Sequence, residues 1–160
     1  MSQALGSSTD GSPSTPKTIT GSSVQRSGIR LTNVYDDPQS CSILYELLKE
    51  RDEATNISHR SLPYPVDHIN FFESRPYRHW YLVKSDEQVV GACYLTHKDE
   101  IGIFIFKAHQ GKGYGRAAVR ELMRENGGLR YKANINPQNE RSANLFKSLG
   151  FKIIQHTYEA

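Results

Sequence analysis

Cysteine is scarce in this chain: Cys41 and Cys93 are the two such residues among 160, with no CxxC pair and no histidine at metal-ligand spacing. A disulfide framework is therefore not the basis of the fold, no metal site is expected, and a reducing, cytoplasmic setting is the simpler reading. A strong charge of one sign is missing as well. Twenty Lys and Arg face 17 Asp and Glu, a net +3 that suits a phosphorylated ligand but does not indicate nucleic acid as a partner. No apolar run approaches the ~20 residues that cross a bilayer, so no membrane partner is expected. The N-terminus lacks the basic-then-apolar pattern of an export signal.

What is present is organised in two parts. Residues 1–27 are Ser, Thr, Gly and Pro with almost nothing to bury, and such a segment is expected to form a disordered tail. A single domain over 28–160 follows. "GIRLTNV" (28–34) reads as a strand. Ile43, Leu44, Leu47 and Leu48 form a helical stripe, and "PVDHINFFESR" (65–75) reads as a second helix with Val66, Ile69 and Phe72 on one side. "HWYLV" (79–83), "VVGACYL" (89–95) and "EIGIFIF" (100–106) are strands joined by links too short for a crossover, hence antiparallel. A helix runs to about Glu125, with Ala118, Val119, Leu122 and Met123 on its buried side. "LRYKANI" (129–135) is expected as a strand. A helix over 136–150 is expected to start with Asn136 as cap and Pro137 at its first position, and "FKIIQHTY" (151–158) closes the order as a strand. The fold class is α/β: a mixed, largely antiparallel sheet flanked by about four helices, in the order β-α-α-β-β-β-α-β-α-β.

The segment "HQGKGYGRAAV" (109–119) carries Gly111, Gly113 and Gly115 directly before good helix formers. A dinucleotide fingerprint starting at Gly111 would need glycine where Arg116 stands, and a P-loop would need glycine and lysine at Arg116 and Ala117. Both spacings fail. What fits is Gln110-x-x-Gly113-x-Gly115 between a strand and a helix. The unpaired N–H groups and partial positive charge of a helix N-terminus attract a pyrophosphate, glycines permit its close approach, and Lys112 and Arg116 add charge. A glycine-rich turn that binds nothing is the plain alternative.

On the last helix Asn139, Ser142, Phe146 and Leu149 share one face. Phe146 and Leu149 suit a core. Asn139 and Ser142 continue that stripe with polar groups, which need a ligand or a local backbone partner. Together, Q-x-x-G-x-G opening one helix and N-x-x-S-x-x-L-F-x-x-L-G-F (Asn139 to Phe151) on the next resemble the GNAT superfamily of acetyl-CoA-dependent N-acetyltransferases. The resemblance spans about residues 28–158. It implies acetyl-CoA as co-substrate, with the pyrophosphate held by Gln110, Gly111, Lys112, Gly113, Tyr114, Gly115 and Arg116. The pantetheine amides would pair with the backbone of Ile103, Phe104 and Ile105, and Asn139 and Ser142 would adjoin the cofactor.

Transfer of an acetyl group to an amine requires loss of a proton from the amine, donors for the developing oxyanion and stabilisation of the departing thiolate. Glu100 is the candidate base, with Gly102 on its face of the strand leaving room for an acceptor. A glutamate near this position serves as base in part of the family. Asp99 is the neighbouring alternative, and direct attack by a neutral amine is a third. Many family members place a tyrosine where this chain has Phe146, which cannot donate a proton. Ser142 then becomes the candidate for the thiolate, as in the branch that acetylates ribosomal proteins, with Tyr94 and Tyr158 remoter.

"SHRSLPY" (58–64) and "RPYRHWY" (75–81) mix basic and aromatic residues where the family builds its acceptor pocket. Arg60, Arg75 and Arg78, with Tyr64 and Tyr77, suit a small-molecule amine on an anionic, flat-ringed carrier: an amino-sugar nucleotide or an aminomethyl-modified base. A protein N-terminus, a polyamine and a non-catalytic CoA-binding module are the alternatives. Monomer and homodimer both stay open.

Overall fold

A computed structural model describes residues 28–52, 61–158 and 160. The tail expected over 1–27 and the basic Arg60 lie outside the described residues. The elements run β1 (Ile29–Asn33), α1 (Ser40–Lys49), α2 (Pro65–Glu73), β2 (His79–Ser85), β3 (Gln88–Leu95), β4 (Ile101–Ile105), α3 (Tyr114–Glu125) and α4 (Glu140–Ser148). The strands form one sheet in the order β1-β2-β3-β4, and each neighbouring pair is antiparallel. This is the expected α/β class, a sheet flanked by four helices among the described residues.

Short links fix the meander. Ser85 pairs with Gln88 across a turn in which Asp86 takes φ 52°, a left-handed conformation that aspartate tolerates. Between β3 and β4, the Thr96 hydroxyl accepts from the backbone N–H groups of Lys98 (3.2 Å) and Glu100 (3.1 Å). Asp99 takes φ 62° in this turn.

Alternation along the strands sends side chains into two cores. On one face Val83, Cys93, Leu95 and Ile101 pack with Ala118, Val119 and Leu122 of α3 and Phe146 of α4. On the other, Trp80, Leu82 and Ala92 pack with Val34 and with Leu44 and Leu47 of α1, bordered by Tyr77, Tyr94 and Phe104. Ile101 and Ile103 therefore belong to the α3 side, and Phe104 to the α1 side.

Four expectations need correction. The helix α2 turns His68 inward, where Nε2 meets the Cys41 carbonyl at 2.8 Å, while Val66 and Ile69 stay exposed. The segment 129–135 does not form a strand. It makes one parallel bridge, Glu100 to Lys132, with Ile101 N–H donating to the Lys132 carbonyl at 2.8 Å and Lys132 N–H donating to Asp99 at 2.9 Å. Beyond it the chain turns: Asn136 Oδ1 accepts from Gln138 N–H at 2.9 Å and the Asn136 carbonyl accepts from Asn139 N–H at 2.8 Å. Pro137 suits the second position of such a turn as well as a helix start, and here it takes the turn. The helix begins later, with Asn139 as its cap. Residues 151–158 likewise form no strand, and they pair with no other strand of the sheet. Phe151 packs edge-on against Phe146, with centroids 5.0 Å apart, and Ile153, Ile154 and Tyr158 are exposed.

Candidate active site

The splaying of residues 133–136 away from β4 opens a cleft of about 910 Å³. One wall is the outer edge of β4. Ile101 uses its N–H on that edge to meet Lys132, and the Ile105 carbonyl accepts there from Gln110 Nε2 at 3.0 Å. Backbone groups alternate between the two edges of a strand, so the N–H and C=O of Ile103, midway between, face the cleft. Those of Gly102 and Phe104 turn toward β3, leaving Phe104 to contribute its side chain.

At one end of this edge stands the start of α3. Gly111 and Gly113 take φ 77° and 82°, and a Cβ built on either would meet nothing within 4 Å. Gly113 is the N-cap and offers no side-chain cap bond, which leaves the first N–H groups of α3 toward the cleft. Gly115 serves a different purpose. Its Cβ would lie 2.9 Å from Leu145 Cδ1 and 3.6 Å from Ile105 Cγ1, so it lets α3 pack closely on α4 and β4. Tyr114 and Arg116 also line the cleft, whereas Lys112 does not. Arg116 reaches the Ser148 carbonyl at 3.4 Å. The Gln110 amide ties the loop to β4 through Ile105 and accepts from Arg141 of α4.

At the other end of β4 stands Glu100. Its Oε2 accepts from the Thr96 hydroxyl at 3.3 Å and its Oε1 from Asn134 Nδ2 at 3.1 Å. Asp99, the neighbouring alternative, is drawn away: its carboxylate is paired with Arg78 at 2.6 Å. The expected room above Gly102 is filled. A Cβ on Gly102 would lie 2.1 Å from Tyr94 Cζ, so the Tyr94 ring rests directly over the glycine. That ring stacks on Tyr77 with centroids 4.0 Å apart and planes 6° from parallel. Burial pushes both phenols up, and they hold their protons at neutral pH.

Facing β4, Ser142 lines the cleft from α4, its N–H donating to Asn139 Oδ1 at 3.0 Å. Asn139 thus has a structural task as helix cap in addition to its place in the wall. Phe146 is buried and also borders the cleft. Tyr158 is far more exposed and is not part of this wall. Among the basic residues expected at the acceptor, Arg75 lies 4.1 Å over the Tyr35 ring and Arg78 is spent on Asp99 and the His97 carbonyl. Neither lines the cleft. Tyr64 is exposed, and Tyr77 belongs to a second cavity of about 570 Å³ between α1 and α2. The two cavities share Leu47, Arg51, Tyr94 and Phe104.

Thr96, Asn134 and Arg51 were not singled out by the sequence. An asparagine inside an apparent strand, as at 134, is a local conflict of propensity that marks a break in pairing. Arg51, just past the end of α1, carries no such signal.

The fold resembles that of several solved proteins, acetyltransferases among them. A domain from Methanocaldococcus jannaschii is 23% identical with a TM-score of 0.69, over 82% of this chain and 92% of that one. A putative acetyltransferase from Salmonella typhimurium, solved with its cofactor acetyl-CoA, is 25% identical with a TM-score of 0.55, over 77% and 78%. Spermidine N-acetyltransferase from Vibrio cholerae, solved with CoA and spermine, is 14% identical with a TM-score of 0.69, over 81% and 84%. No curated protein sequence matches the chain. The model of the acetyltransferase (GNAT) family matches residues 42–151, well over half of the chain. The protein belongs to that family and is an acetyl-CoA-dependent N-acetyltransferase.

Proposed function

We propose that acetyl-CoA lies along the outer edge of β4 and that Glu100 accepts the proton from the attacking amine. The observation that carries this reading is the position of the Glu100 carboxylate. It stands at one end of the exposed edge, and the open N-terminus of α3 stands at the other. Five strand residues at ~3.3 Å each put roughly 13 Å between the ends, which suits an extended arm with phosphates at one end and a thioester at the other.

The residues fit such an arm. The N–H groups at Gly113, Tyr114 and Gly115 suit the pyrophosphate, and the Ile103 carbonyl offers an acceptor to an amide N–H of the arm. Acetyl-CoA supplies an activated acetyl group in the form of a thioester. Glu100, accepting from Thr96 and Asn134, is held with its oxygens at the cleft, where it removes a proton from a bound ammonium or from an amine during attack. The Ile103 N–H donates to negative charge developing on the acetyl oxygen. The Ser142 hydroxyl stabilises the thiolate, a role that Phe146 cannot fill. Gln110 and Asn139 act as positioning residues, one for the loop and the other for the helix that carries Ser142.

The acceptor in this reading is a primary amine on a nucleotide-linked small molecule, such as an amino-sugar nucleotide or an aminomethyl-modified base. Its support now comes from the stacked Tyr77 and Tyr94 and from Phe104, in place of Arg75 and Arg78. Thiol release from acetyl-CoA, measured with nucleotide-linked amines, peptides with free N-termini and polyamines, tests it. Preferred turnover of the first class is expected. Efficient acetylation of spermidine with none on nucleotide-linked amines would contradict it.

A further inference from the structure

Arg51 stands at the junction of the two cavities. Its guanidinium carbon lies 4.1 Å over the Phe104 ring. Its Nε is buried and has no hydrogen-bond partner. Among the described residues no carboxylate forms an ion pair with it: Glu50 Oε2 accepts instead from the Lys107 N–H at 2.7 Å. A guanidinium stays charged at any physiological pH, and removing it from water without a counter-anion is costly. Stacking on Phe104 offsets part of that cost, because an aromatic face attracts a cation. It leaves the buried Nε without an acceptor, however, and the oxygens of an acid group are the partners that best match a guanidinium. The Tyr77 and Tyr94 phenols are close enough to Arg51 to act on it electrostatically, and burial keeps both protonated.

We infer that Arg51, with Tyr77 and Tyr94, forms an oxyanion subsite that binds a carboxylate or phosphate borne by the amine acceptor. This rests on the proposed placement of the amine beside Glu100, since Tyr94 and Phe104 line both the cleft and the inner cavity. The subsite sets specificity. It favours amines that carry an acid group, and it disfavours polyamines, whose other ammonium groups would meet the Arg51 cation.

The test uses matched acceptors: glucosamine against glucosamine 6-phosphate, and pentylamine against 5-aminopentanoate, with kcat/KM read from thiol release. The wild type is expected to favour at least one acidic member over its uncharged partner by about tenfold or more, and the responsive pair tells phosphate from carboxylate. Arg51→Met should lower kcat/KM for that acidic member about 10- to 100-fold, mainly through KM, and leave the uncharged partner unchanged. Arg51→Lys, which keeps charge but not the guanidinium, should recover part of the loss. Unaltered acetyl-CoA affinity shows that the variants are folded. Equal losses on both members of a pair, or a wild-type preference for the uncharged members or for spermidine, would overturn the inference. Should the wild type acetylate no amine, the functional reading fails separately, and calorimetric titration of the two acidic probes decides the subsite. Binding weakened by Arg51→Met supports it, and binding that is absent or unaffected by the substitution overturns it.

Discussion

Asn134 Nδ2 donates to Glu100 Oε1 across 3.1 Å, joining the end of β4 to the segment that departs from it. The contact accounts for two features at once. It holds the carboxylate at the cleft, and it stands just past Lys132, where backbone pairing ends and the cleft begins.

The Tyr94 ring over Gly102 predicts a strong steric coupling. Gly102→Ala would place a methyl group 2.1 Å from Tyr94 Cζ and force the ring out of its stack on Tyr77. A loss of about 1–3 kcal/mol is expected from such overpacking. In a Tyr94→Ala background the same glycine substitution should cost much less. Urea denaturation of the four proteins in this cycle measures the difference. Equal costs in both backgrounds would mean that the ring does not rest on the glycine.

Gly113 and Gly115 should fail in different ways. Gly113→Ala puts a side chain at φ 82°, costing about 1–2 kcal/mol of stability, and places its Cβ where no protein atom lies. Acetyl-CoA affinity should fall at least about tenfold, since the methyl would crowd the N–H groups proposed to meet the pyrophosphate. Gly115→Val meets Leu145 instead and should act chiefly on folding, by about 1–3 kcal/mol. Calorimetric titration together with urea denaturation separates the two effects.

Much of this was legible in the chain. The β2–β3–β4 meander followed from short polar links between β-rich runs, and α3 from its apolar side, since both patterns are local. The last two strands were not legible in the same way. "LRYKANI" has strand composition, yet strand formation requires a partner along its length, and Asn134, Asn136 and Pro137 end the pairing after Lys132. The residues of the cleft divide similarly. Gly111 and Gly113 before a helix point to an anion site through one physical cause, open N–H groups, whereas Gly115 serves packing. The basic–aromatic stretch misled because Arg78 had an available partner in Asp99, 21 residues away in sequence. Arg51 escaped notice because what marks it, a buried Nε without a hydrogen-bond partner, exists only in the folded chain.

Asn139 and Ser142 are adjacent on α4 but should separate cleanly by experiment. Asn139→Ala removes the helix cap and should lower stability by about 1 kcal/mol. Ser142→Ala should leave stability and acetyl-CoA affinity nearly unchanged while turnover falls about 10- to 100-fold, the usual worth of a hydrogen bond to a charged group. Denaturation midpoints and steady-state thiol release make the comparison.

The assignment of Glu100 as base is tested most directly by the pH dependence of amine-dependent thiol release for wild type and Glu100→Gln. The glutamine keeps the hydrogen-bonding shape but cannot accept the proton. Turnover should fall by about 10²–10⁴-fold at neutral pH, with acetyl-CoA affinity unchanged. The deficit should shrink as pH rises toward the amine pKa of roughly 10, where the neutral amine no longer needs a base. A variant with near-normal rates at pH 7, or a deficit equally deep at every pH, would contradict the role given to Glu100.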